Sequence, residues 1–273
     1  MTPVETVTRF LDRLAPPELA ESWDNVGLLV GDAAQEVEQV MTCLTITGET
    51  VSEAIEQGVQ LIVTHHPLPF RPLKQLTRST PEGRYLLDLI ASGVAIYSAH
   101  TAFDSAVKGI NCRLAEGLGL ISNRPLLPNE TASSMEGVRQ MEGEIGAGRF
   151  GQLSPPATLG ELLQRAKIFL NVDKLRYVGH EGRELANVAV ACGSAGEFLG
   201  PAREQGCDCL VTGETSFHTC LEAEATDTAL VLLGHFASER FAMGELADVL
   251  AAEFDGLTVW ASRRERDPID WSL

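Results

Sequence analysis

The sequence predicts an α/β protein of two similar lobes, each a mostly parallel or mixed sheet flanked by helices. Three observations carry that expectation. Strand-like and helix-like segments alternate along the chain, a stretch at residues 56–64 recurs at 204–212, and the strands of both copies run into histidines and acids.

The opening "TPVE" has the pattern of a capping box, with Thr2 as N-cap, Pro3 at the first helical position and Glu5 three residues after Thr2. Val4, Val7, Leu11 and Leu14 then share one face, which predicts a helix. After the polar turn "ESWDN", "VGLLVGD" reads as a short buried strand, "VEQVMTCLTIT" as another, and "GETVSEAIEQG" as the helix returning from it. "VQLIVTHHP" and "GVAIYSAHT" are two further strands, with "GRYLLDLIASG" as the helix between them. Around "SNRPLLPNETASSMEG" the apolar periodicity stops while prolines and small polar residues gather. A boundary near residue 126 follows, giving lobes of residues 1–126 and 127–273. The second half resumes with "LGELLQRAKIFL" as a helix, "ANVAVACGS", "CDCLVTGE" and "ALVLLGH" as strands, and "SERFAMGELADVLAAEF" as a closing helix.

Composition narrows the function classes. The 273 residues are 44% hydrophobic, enough for two ordinary cores. No apolar run approaches the ~20 residues of a membrane span, and "MTPVETVTRFLDRL" lacks the apolar centre of a signal peptide, so the expected location is the cytoplasm. A formal charge of −17 argues against a nucleic-acid partner, because phosphate binding depends on Lys and Arg. The six cysteines have no framework spacing and read as reduced core residues; Cys207 and Cys209 alternate along one strand.

The recurrence directs attention to the strand ends. "EQGVQLIVT" leads into His65-His66, whereas "EQGCDCLVT" leads into Gly213-Glu214. The next strands end in "YSAHTAFD" and "LLGHFASE", placing His100 four residues before Asp104 and His235 four before Glu239. Paired His-x-x-x-acid endings in the same order indicate internal duplication. Parallel strands open their C-terminal ends onto one edge, where ligand-binding loops collect. His65, His66, His100, Asp104, Glu214, His218, His235 and Glu239 all belong to such edges, and if the lobes face one another they meet in the cleft between them. A mixed imidazole and carboxylate set without thiolate points to a dinuclear Zn, Mn, Fe or Ni centre. Adjacent strand residues face opposite ways, so His65 and His66 share a centre only where Pro67 ends regular strand geometry. His180, in the polar turn "GHEGRE", reads as a structural residue.

The segments "WDNVGLLVG", "VTHHPLPF", "YSAHTAFD", "GRFG", "CGSAG", "VTGETSFH" and "GHFASE" together resemble the NIF-three-like family over essentially the full chain. Its bacterial members are often labelled GTP cyclohydrolase 1 type 2 homologues and described as dinuclear-metal hexameric proteins. The resemblance implies a two-lobed α/β protomer in a toroidal homohexamer, a trimer of dimers, with two divalent ions held by His65, His66, Asp104, His235 and Glu239. His100 and His218 are implied nearby, behind the ligands or facing the substrate; either one, uncoordinated, is a candidate general acid or base for the leaving group. Longer members insert a domain between the halves; the 126–138 connection leaves no room for one. Thr45 stands where many members have an aspartate.

Two function classes follow. One is a metal-dependent hydrolase of a nucleotide or related heterocycle, with GTP ring opening as the reaction the family label implies. The other is a non-enzymatic ring that handles metal or binds protein partners. After the double histidine, "RPLKQLTRSTPEGR" forms a basic island; Arg71 and Lys74 are its candidates for meeting an anionic substrate, the alternative being a solvated loop. Asn25 and Arg149 are further candidates, alternatively a turn residue and a residue flanked by glycines for backbone reasons.

Overall fold

The computed structural model describes residues 2–129 and 144–270. It divides into two compact units, residues 1–103 with 242–273 and residues 104–241.

The first unit begins with β1 (Thr2–Pro3), α1 (Val4–Leu14), β2 (Gly27–Val30), β3 (Glu36–Val37) and β4 (Gln39–Cys43). It continues through α2 (Gly48–Glu56), β5 (Leu61–Thr64), α3 (Pro81–Ala91), β6 (Ala95–Ser98) and α4 (His100–Ser105), whose last two residues belong to the second unit. The first helix starts one residue later than its capping-box pattern predicts. Pro3 is the N-cap, and the N–H groups of Val4 and Glu5 donate to the carbonyls of Gln35 and Ala33. Thr2 instead pairs with Val37 in the β1–β3 ribbon, so a tertiary contact does the work of the side-chain cap. At α2, by contrast, Thr47 and Thr50 form a reciprocal capping box.

The second unit contains α5 (Ile110–Gly117), β7 (Leu120–Pro128), β8 (Gly146–Thr158), α6 (Leu159–Leu170), β9 (Arg176–Val178) and β10 (Glu184–Ser194). Then come α7 (Leu199–Glu204), β11 (Cys209–Glu214), α8 (Phe217–Ala225), β12 (Ala229–Leu232) and α9 (His235–Glu253), which runs on into the first unit. The chain closes with β13 (Thr258–Ala261).

The two main sheets repeat one plan. The first has the order β13-β4-β5-β6-β2, with β4, β5 and β6 parallel and β2 antiparallel on the edge. The second has the order β7-β8-β10-β11-β12-β9, with β10, β11 and β12 parallel and β9 antiparallel on the edge. In both, the edge strand precedes the parallel trio in sequence and a helix precedes the edge strand. Every residue of β5, β6 and β12 is buried, as expected of parallel strands covered on both faces. The chain is thus a mixed α/β protein with sheets flanked by helices.

Two expectations change. Residue 126 lies inside β7, with Leu126 only 1% exposed, so the boundary near 126 is replaced by one at 103/104. The C-terminal segment also returns to the first unit, where β13 pairs in parallel with β4. Pro125 and Pro128, which suggested a linker, are tolerated because β7 is an edge strand. Residues 130–138 of the expected connection lie outside the described residues.

Candidate metal centre

The apolar run of β5 delivers the double histidine. The backbone N–H groups of His65 and His66 donate to Cys43 and Leu44 carbonyls, at 3.0 and 2.8 Å. Consecutive amides bonding to the same neighbouring strand segment is incompatible with a regular pleat, where they alternate sides, so both imidazoles can turn toward one place. His100 joins them from the start of α4. Ring nitrogens of His65, His66 and His100 lie within 4.8 Å of one another. His65 is buried, at 2% exposure.

Each of the other two imidazoles is oriented by a neighbour. Thr45 Oγ1 lies 2.7 Å from His66 Nδ1, which gives the departure at position 45 a role: a hydroxyl positions the ring from that strand end. Asp24 Oδ1 lies 2.7 Å from His100 Nδ1. The same carboxylate accepts from Asn25 N at 2.8 Å, Thr101 N at 3.1 Å and Thr101 Oγ1 at 2.5 Å. Burial raises the Asp24 pKa, but these bonds and the imidazole outweigh it and hold the group down at about 2. A carboxylate bonded to one ring nitrogen fixes the tautomer and orients the ring, an arrangement in which the other nitrogen could hold a metal. His100 also holds a φ of 27°, a left-handed value that a non-glycine residue keeps only when its surroundings over-determine it. Glu265 adds support from the returning C-terminal segment: its carboxylate accepts from Leu44 N at 3.0 Å and Thr45 N at 2.7 Å.

The second unit presents its own donors. His235 and Glu239 occupy successive turns of α9, with Nε2 and Oε2 3.2 Å apart, the arrangement their i, i+4 spacing predicts. Glu214, at the end of β11, approaches His235 Nδ1 at 2.9 Å. The hydrogen bond to Glu239 leads in raising the His235 pKa to about 9; burial opposes it and Glu214 adds to the rise. Asp104 accepts a hydrogen bond from Cys192 Sγ at 3.2 Å. Burial, followed by the Asp104 and Glu239 carboxylates, pushes the Cys192 thiol well above its ordinary value, so it stays a neutral donor there. Beside it, Gly193 has φ 66° and leaves no room for a side chain: a Cβ would stand 2.4 Å from Glu239 Oε1.

The remaining candidates distribute differently. His218 is exposed in the first turn of α8, outside the histidine cluster. Arg71 and Lys74 are exposed in the loop after the double histidine, while Arg78 pairs with Asp88 at 2.6 Å. Asn25 donates to the Pro69 carbonyl at 2.7 Å and ties the "WDN" turn to the histidine loop. Arg149 is buried, donating to the carbonyls of Glu144 and Ala106 at 2.8 and 3.0 Å, a structural use in place of the substrate contact considered from sequence. Cys207 and Cys209 are buried, and His180 Nδ1 accepts from Gly182 N within its turn. Asp24, Cys192 and Glu265 escaped the sequence reading as site residues, although "WDN" and "CGSAG" had marked the neighbourhoods of the first two.

Three gathered imidazoles and, separately, a histidine with two carboxylates are donor sets that suit a divalent transition metal. Comparisons with known proteins place the fold in a family. The sequence is 35% identical over 236 residues to a GTP cyclohydrolase 1 type 2 homolog of Clostridium acetobutylicum, covering 86% of this chain and 85% of that protein. It is 31% identical to a protein of the same name from Clostridium perfringens, covering 97% and 98%. The crystal structure of a Bacillus cereus protein related to NIF3 superposes with a TM-score of 0.88 at 24% identity, covering 99% of each chain, and so shares the fold. Residues 2–268 match the family described as Duf34/NIF3 (NGG1p interacting factor 3), and the chain belongs to it.

Proposed function

We propose that the chain is a metal-dependent hydrolase with a dinuclear centre, acting on a nucleotide or related heterocycle. The observation that carries this is the convergence of His65, His66 and His100, imidazoles that neighbouring side chains already orient. His65, His66, Asp104, His235 and Glu239 would hold two divalent ions, with His100 available to the first of them. The ions, when bound, supply Lewis-acid polarisation and make water acidic enough to attack near neutral pH. Asp24 fixes the ring of His100, Glu214 fixes that of His235, and the neutral Cys192 thiol orients Asp104. His218 is the group left for proton transfer to the leaving group, and Arg71 and Lys74 face an anionic substituent. The names of the clostridial relatives support GTP as the first substrate to try. A homohexamer, tested by light scattering on the eluting protein, belongs to the same proposal.

The test joins metal content to turnover. Elemental analysis of the zinc- or manganese-reconstituted protein is expected to give two ions per chain, and Asp104→Ala to lose one ion and hydrolysis of GTP or another purine nucleotide. Equal turnover by wild type and variant would remove catalysis from this centre, and full metal loading without turnover would favour a metal-handling role.

A further inference from the structure

We infer that Trp23 and Phe70 form a ring-binding wall beside the histidine cluster, and that the ligand it takes is a planar heteroaromatic ring such as a nucleobase. The inference deepens the proposed function and rests on it for the choice of ligand class. Centroids of Trp23, Phe70 and His100 form a triangle with every side 6.0 Å. The rings are inclined to one another by 50°, 74° and 76°, so none lies parallel over another. Trp23 remains 60% exposed and Phe70 44% exposed. Two large aromatic side chains have therefore been brought together without being covered, and an indole offered in this way is a stacking surface.

The wall is held in place. Asp24, next to Trp23, is fully buried at its side chain and hydrogen-bonded to Asn25, His100 and Thr101. Asn25 in turn holds the carbonyl of Pro69, the residue before Phe70. The bonds that orient His100 thus also anchor the chain beside both aromatic residues, which lowers the free energy a ligand ring stacking there loses to ordering the protein. It would sit against the His100 side of a cluster whose ring centroids are 5.1 to 5.6 Å apart. Arg71 directly follows Phe70 and lies on the solvent side, where a substituent carrying phosphate is accommodated.

Binding, measured without turnover, tests this. Calorimetric titration of the zinc-reconstituted full chain with guanosine, and with ribose 5-phosphate as the control that lacks the heteroaromatic base, is to be repeated for Trp23→Leu and Phe70→Leu, with the oligomeric state recorded for each. Loss of one stacking partner is expected to weaken guanosine binding about tenfold or more while leaving ribose 5-phosphate binding unchanged. Wild-type guanosine affinity in both variants, or no guanosine binding by the wild type at millimolar concentration, overturns the inference. So does an altered oligomeric state with unaltered guanosine affinity, which assigns the aromatic pair to a subunit contact. Guanosine binding that depends on Trp23 in a protein without turnover leaves the wall standing and removes only the hydrolase reading.

Discussion

Replacing Asp24 with asparagine isolates what a buried carboxylate does for the histidine cluster. The wild-type side chain accepts four hydrogen bonds, from Asn25 N and His100 on one oxygen and from both Thr101 donors on the other. Asparagine keeps one acceptor oxygen and turns an NH2 group toward donors at the other, so at least one backbone N–H is stranded. A lost bond to a charged acceptor costs about 1.5–3 kcal/mol. The pKa gives a similar size: a carboxyl lowered from 3.8 to about 2 corresponds to roughly 2 kcal/mol of native-state stabilisation. Because the folded pKa is depressed, that stabilisation is present above the unfolded value near 4 and disappears as the pH falls through about 2. Asp24→Asn should therefore lower the melting temperature by about 4–8 °C at pH 7, and the difference should shrink on acidification below pH 4. Loss of the bond that orients His100 should weaken zinc binding about 10- to 100-fold. Calorimetric titration with zinc and melting between pH 2 and pH 7 read both effects. A variant that binds zinc as the wild type does would refute the orienting role, and a melting difference that persists unchanged at pH 2 would refute the electrostatic account.

Three further outcomes follow from the geometry. His235, held protonated up to about 9 by Glu239 and Glu214, must give up a proton to bind a metal, so affinity at that site should rise about tenfold per pH unit between pH 6 and pH 8. Titrations in buffers of different ionisation enthalpy should show the released proton. Gly193→Ala should displace Glu239 and lower both stability and metal affinity, with about 1–2 kcal/mol coming from the left-handed backbone alone; Gly244→Ala, inside α9 where a Cβ meets nothing within 4 Å, is the control, which should gain about 1 kcal/mol from helix propensity and leave metal affinity unchanged. Glu53 is raised by burial but lowered overall by bonds from Ser262, the backbone of Arg263 and Arg264, and Trp260. Its stabilisation is present above the ordinary glutamate range and lost as the pH falls through the depressed value. Glu53→Gln should cost about 2 kcal/mol at pH 7 and speed hydrogen exchange across residues 258–264.

Local chemistry explains why much of the fold was legible. The strands around Val63, Ile96, Val211 and Val231 are short, apolar and bounded by Gly or polar turns, and they appear where those patterns place them. The repeat in "EQGVQLIVT" and "EQGCDCLVT" reports a real duplication because both segments turn from a helix into the central strand of a like-ordered sheet. Among the elements that pattern did not reveal are α5, α8, β7, β8, β9 and β13. The glycines and prolines of "GAGRFGQLSPPAT" obscure a strand that depends on partners remote in sequence.

By itself, the sequence determined the α/β class, the duplicated plan and the residue types that gather at strand ends, because helix and strand periods and turn residues act over a few positions. Tertiary structure decided that β13 returns to β4, that Thr2 pairs in a ribbon in place of capping a helix, and that Asp24, Thr45 and Glu265 support the two histidine segments. Those outcomes come from donors and acceptors tens to hundreds of residues apart satisfying one another on burial, and no short window of sequence contains both halves of such a bond.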